Sequence, residues 1–126
     1  MRLIYLASPY SHPDRQIQEQ RFQAVCQQAA EMMRRGELVF SPIAHTHPIA
    51  AYDLPGDWAF WRRYDRAMLE RCDELVVLQL DGWEESIGVK AEIAIAKELN
   101  LPVRFIRPKF FRKSPGVLLS RQGRGK

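Results

Sequence analysis

The chain has 126 residues, 46% hydrophobic and 27% charged, with a formal net charge of +4. That is one domain's worth of chain, long enough to bury a core without disulfide or metal staples. The aromatic share of 10% and the ordinary charge level argue against disorder, and no run approaches the ~18 apolar residues of a membrane span.

Residues 2–7 read as a buried strand that ends at Ser8-Pro9, because the residue before a proline favours extended backbone. The absence of a cleavage pattern in this opening segment makes a cytoplasmic protein the expectation. Residues 11–14 form a turn into a helix over 15–35, with Phe22, Val25, Cys26, Ala29, Met32 and Met33 spaced by threes and fours. Gly36 is its stop, and residues 37–40 are a second strand closed by Ser41-Pro42. Residues 43–56 are mixed, with His45-Thr46-His47 among prolines, and predict a loop carrying a short helix. Asp57 is placed to cap a helix through residue 71, and residues 74–80 form a third strand. A loop over 81–85 leads to a helix over 86–100, and residues 103–106 are a fourth strand.

Strands alternating with helices predict an α/β, single-domain fold. The expected form is a flavodoxin- or Rossmann-like three-layer sandwich with a four- or five-stranded, mainly parallel sheet. The domain is expected over residues 1–107, with residues 108–126 expected as a basic tail, flexible or docked on a partner. Ligands of such sheets bind at the carboxyl ends of the strands where strand order reverses. That rule selects residues 8–14, 41–47 and 81–88.

Charge follows the same division. From Arg104 to Lys126 there are eight Lys/Arg and no Asp/Glu, so the rest holds 11 basic and 15 acidic residues, a net of −4. The overall pI of about 9.3 is a property of the tail, and it argues against nucleic acid as the partner of the domain. Cys26 and Cys72 lie far apart in helical segments and read as small buried hydrophobes.

Glu92 is the strongest anomaly. On the helix over 86–100, Lys90 and Lys97 mark the water side and Glu92 falls nearly opposite, near Gly88, Val89, Ala96 and Leu99. A carboxylate in that position is costly unless it is paired or used. Pairing with an arginine such as Arg63 is the structural alternative. Asp65 sits mid-helix, where Asp is a poor helix former, and its spacing favours solvated pairs with Arg62 or Arg66. Trp58, Phe60 and Trp61 read as core or subunit interface rather than a base-stacking platform. His45 and His47 have only Asp53 and Asp57 nearby as further ligands, so no metal is expected, and they read as polar walls of a cleft. Ser86 is an N-cap whose helix terminus also suits an anion. Tyr5 on the first strand is a core tyrosine whose hydroxyl could reach across to a carboxylate.

Three segments together resemble the nucleoside 2-deoxyribosyltransferase superfamily, which includes the 2′-deoxynucleoside 5′-phosphate N-hydrolases. They are Ile4-Tyr5-Leu6-Ala7-Ser8-Pro9, Tyr64-Asp65 followed by Cys72-Asp73-Glu74-Leu75-Val76-Val77, and Ser86-Ile87-Gly88-Val89-Lys90-Ala91-Glu92. The last is similar to the family's Ser/Asp-x-Gly-x-x-x-Glu, and the likeness is closest to short bacterial members of unassigned activity. The resemblance implies that Glu92 is the catalytic carboxylate, that Tyr5 orients it, and that Asp65 assists at the sugar or the leaving base. It implies Ser86 in a position that is Asp in free-nucleoside transferases and Ser in nucleotide hydrolases. The hydrolases carry an Arg in the loop after the first strand, whereas here Arg15 appears only at the helix start.

Substrate contacts are therefore expected from Ser8 and Pro9, from His45 and His47, and from Asp81, Ser86 and Gly88. The expected activity is hydrolysis of the N-glycosidic bond, or deoxyribosyl transfer, on a (deoxy)nucleoside or its 5′-monophosphate, with no cofactor. The competing readings are a non-catalytic nucleotide-binding module and a partner- or nucleic-acid-binding role for the tail. The resemblance also implies a homo-oligomer, a dimer or tetramer, with Trp58, Phe60 and Trp61 as interface candidates.

Overall fold

A computed structural model describes residues 1–109. Its elements run β1 (Leu3–Ala7), α1 (Arg15–Arg34), β2 (Leu38–Phe40), α2 (Pro42–Ala50), α3 (Trp58–Leu69), β3 (Glu74–Leu78), α4 (Ile87–Glu98) and β4 (Val103–Ile106). The four strands form one parallel sheet in the order β2-β1-β3-β4. This is the single-domain α/β sandwich expected, with four strands among the described residues. From residue 110 onward the basic tail lies outside them.

Side-chain alternation along β1 and β3 builds two cores, one on each face of the sheet. Ile4, Leu6, Val76 and Leu78 pack with Val25, Ala29 and Met32 of α1. Tyr5, Ala7, Leu75 and Val77 pack on the other face with Leu69 of α3 and with Val89 and Ala96 of α4. Cys72 is buried in this second core, whereas Cys26 is half-buried on α1. Each fully buried aliphatic side chain contributes about 1.5–3 kcal/mol, so the two central strands anchor the fold.

Local chemistry sets the helix ends. The Asp14 side chain accepts from the backbone N–H of Gln16 at 2.9 Å and starts α1. Gly36 follows its end at φ 90°, a conformation that suits glycine. Residues 42–50 are a nine-residue helix, more ordered than the loop with a short helix that the prolines suggest. Pro42 occupies the first turn, where a missing N–H costs nothing, and Ser41 Oγ accepts from Ala44 N at 3.1 Å. Asp57 stands at the N-cap of α3 but makes no side-chain capping bond.

At the amino ends of the strands Glu74 is buried between Arg2 and Arg104. Burial opposes its charge, but the two arginines prevail and hold its carboxyl below the ordinary value. A groove of about 530 Å³ at this end is lined by groups already paired with one another, Arg2, Glu37, Glu74 and Arg104 among them. The chain crosses from β2 over β1 to β3, so strand order reverses between β1 and β3. Ligand chemistry is expected at the carboxyl ends of those two strands.

Candidate active site

A cleft of about 1160 Å³ opens there, between a wall from α1 and α2 and a wall from α3 and α4. Glu92 and Asp65 both line it, although both are buried, at 5% and 8% exposure. The Tyr5 hydroxyl donates to Glu92 Oε2 at 2.6 Å. Tyr5 is fully enclosed beneath them. Burial, then the charges of Glu92 and Asp65, raise its phenol well above the ordinary value, so it stays a donor.

The two carboxyls perturb each other. Glu92 is raised first by burial, then by the Asp65 charge, while the Tyr5 hydrogen bond pulls it down. Burial raises Asp65 as well. The pair is close enough to share a proton, and its ionisation belongs to both groups together. Neither carboxylate has an arginine partner among the described residues. Arg66, a neighbour that the spacing offers to Asp65, is instead spent on Glu70 and Glu98. Solvated pairing of Asp65 is thus corrected: the helix turns Asp65 inward and the arginine outward.

Ser86 caps α4, its Oγ accepting from Val89 N at 3.2 Å, and it lines the cleft with Gly88. A Cβ at Gly88 would stand 3.8 Å from the Trp58 ring, so the glycine keeps this wall low. Trp58 and Trp61 line the cleft and Phe60 is exposed, so none of the three belongs to the core. Ser8 is buried at the end of β1, lines the cleft, and its Oγ has no partner among the described residues. Among these residues no cluster of His, Cys, Asp and Glu is arranged to hold a metal.

Three of the expected contacts stand elsewhere. Pro9 is buried and does not line the cleft. Asp81 does not line the cleft; its backbone carbonyl accepts from Arg21 Nη2 at 3.0 Å. His45 is exposed outside the cleft, with Nε2 3.0 Å from the Tyr64 hydroxyl. It is two residues from His47, and on a helix that spacing sends side chains in different directions. His47 does line the cleft.

Sequence reasoning passes over several lining residues. Tyr10 falls in the stretch the carboxyl-end rule selects, and that is its available signal. Glu19 and Arg21 have none, because their place depends on how α1 rotates against α2. Arg21 ties the two loops that flank the cleft, donating from Nη1 to Ser11 O and from Nη2 to Asp81 O, both at 3.0 Å. Gly82 at φ 90° makes room for it: a Cβ there would meet Arg21 Nη2 at 2.6 Å. Gly82→Ala combines a strained backbone with that clash, and lowers the melting temperature by about 5–10 °C in a thermal-shift assay.

Residues 2–107 match the family described as Domain of unknown function (DUF1937). The chain belongs to that family. Among solved structures, this DUF1937 chain is similar to a 2-deoxyribosyltransferase from the psychrotolerant bacterium Bacillus psychrosaccharolyticus. The TM-score is 0.62 at 20% identity, over 97% of this chain and 85% of that one. At that identity the likeness establishes the fold of a 2-deoxyribosyltransferase. No curated protein matches the chain. No helix among the described residues is long and apolar enough to cross a membrane.

Proposed function

We propose that this chain breaks the N-glycosidic bond of a (deoxy)nucleoside or its 5′-monophosphate, passing the sugar to water or to a second base. One observation carries the reading. A buried carboxyl, Glu92, is held by a tyrosine hydroxyl and coupled to a second buried carboxyl at the base of an open cleft.

Glycosidic cleavage builds positive charge on the sugar at C1′. A carboxylate that is expensive in the empty cleft is stabilised when that charge appears beside it, which favours the transition state over the ground state. Glu92 attacks or stabilises C1′. Tyr5 fixes its orientation and favours its ionised form. Asp65 assists at the sugar and, by sharing a proton, controls the charge on Glu92. Ser86, Gly88 and the first turn of α4 hold the 5′ end, and the unpartnered Ser8 hydroxyl is available to the same substrate.

The test is a panel of deoxynucleosides and their monophosphates, with base release followed by chromatography. Release by the wild type and its loss in Glu92→Ala is the expected result. Equal inactivity of both proteins across the panel sinks the reading. Binding of the same compounds, seen as a thermal shift without turnover, would instead favour a nucleotide-binding module.

A further inference from the structure

The α1–α2 wall carries a second polar cluster, which the mechanism above leaves unused. Tyr10, from the loop after β1, bonds through its hydroxyl to His47 Nδ1. His47, on α2, reaches Glu19 Oε1 of α1 through Nε2 at 3.0 Å. Phe22 stacks on the imidazole with ring centroids 4.1 Å apart, which fixes the plane of the ring. Tyr10, Glu19 and His47 all line the cleft. Three separate elements therefore converge to hold one hydroxyl at its edge.

A hydroxyl backed by an imidazole, itself backed by a carboxylate, is an arrangement for moving a proton. Hydrogen bonds from Gln23 and His47 outweigh burial and hold the Glu19 carboxyl below its ordinary value, so it is an anion at neutral pH. That anion lies 3.0 Å from Nε2 and accepts its N–H. In the imidazolium form Nδ1–H donates to the Tyr10 oxygen, which frees the Tyr10 O–H to point at a ligand.

Geometry also says what that ligand part is. A nucleophile and its leaving group stand on opposite sides of the carbon they exchange. With Glu92 on the α3–α4 wall, the base departs toward the α1–α2 wall, where Tyr10 waits. Resting on the N-glycosidase reading, we infer that the Tyr10–His47–Glu19 chain delivers the proton that the departing base takes up. The C1′–N bond breaks with its electron pair going to the base nitrogen. That nitrogen takes the Tyr10 hydroxyl proton, and the Tyr10 oxygen takes the Nδ1 proton of His47. Glu19 stays ionised against Nε2–H throughout. The water that next attacks C1′ releases the proton that restores the imidazolium, and in transfer the incoming base N–H does so. Tyr10 is the catalytic residue here. His47 and Glu19 act through it.

The experiment compares leaving groups that do and do not need a proton. A para-nitrophenyl deoxyriboside releases a stable anion, whereas a natural nucleoside releases a base that must be protonated. Tyr10→Phe and Glu19→Gln are measured on both substrates beside the wild type. Tyr10→Phe is expected to slow base release by about 100-fold and nitrophenolate release by less than about 3-fold, with Glu19→Gln slowing base release alone by about 10-fold. Equal losses on both substrates, or losses on neither, overturn the inference. A wild type inactive on both substrates overturns the N-glycosidase reading itself, a result distinct from either.

Discussion

Glu92→Gln abolishes base release, by at least about 10³-fold in kcat, and yields a protein more stable than the wild type at alkaline pH. Both halves follow from one feature. Gln has the shape of a protonated Glu, and its carbonyl can still accept from the Tyr5 hydroxyl. What it lacks is the ability to become the anion that C1′ requires. Activity is lost without opening a cavity, so the fold survives the substitution.

The gain in stability rests on the sign of the Glu92 shift. Its carboxyl is raised from the ordinary 4.5 to about 8 in the folded protein, by burial first and then by Asp65. Between those two values the folded state holds a proton that the unfolded chain has already lost. Stability therefore falls as pH rises through that window, and the full loss is present above about 8. The neutral amide of the Glu92→Gln variant suffers no such loss. The difference in melting temperature between variant and wild type should be small near pH 5, should grow through neutrality, and should level off above about pH 8. At the plateau it corresponds to about 5 kcal/mol at most. Parallel melting curves at every pH would show that Glu92 is not the buried acid described here.

Much of this site is readable in the sequence. Glu92 stands out because Lys90 and Lys97 fix the outer face of α4 and leave the carboxylate opposite. Ser86 and the sheet ends follow from capping and from the rule for parallel strands. What stays hidden depends on rotation and on long-range partners. Arg62 and Arg66 flank Asp65 in sequence, and local spacing offers either of them as a partner. Only the packing of α3 on α4, where Arg66 finds Glu98, decides which way Asp65 turns. The two histidines read as a pair because prolines mask α2. Once Pro42 is recognised as a first-turn residue, helical geometry separates His45 from His47. Glu19 belongs to the cleft through a contact with His47, 28 residues away, and neither residue alone announces it.

Asp65→Asn tests how the pair divides its charge. The variant keeps the volume of the side chain but removes both the second negative charge and a site for the shared proton. The Asp65 charge and hydrogen bond each raise Glu92, so their loss lowers the Glu92 carboxyl from about 8 toward its ordinary value. Burial, the largest cause, remains and keeps it above that value. Measured with the para-nitrophenyl deoxyriboside, whose leaving group needs no proton, the wild-type rate rises as Glu92 ionises. In Asp65→Asn that rise moves to lower pH by about one unit or more. The plateau falls at the same time, by about 10- to 100-fold, because the sugar loses the group that assists it. The variant thus loses least against the wild type in mildly acidic solution and most in alkaline solution. A plateau that drops with no movement of the limb would separate the two carboxyls and leave Asp65 as a substrate contact alone. A limb that moves upward would contradict the like-charge coupling on which the arrangement of Glu92, Asp65 and Tyr5 depends.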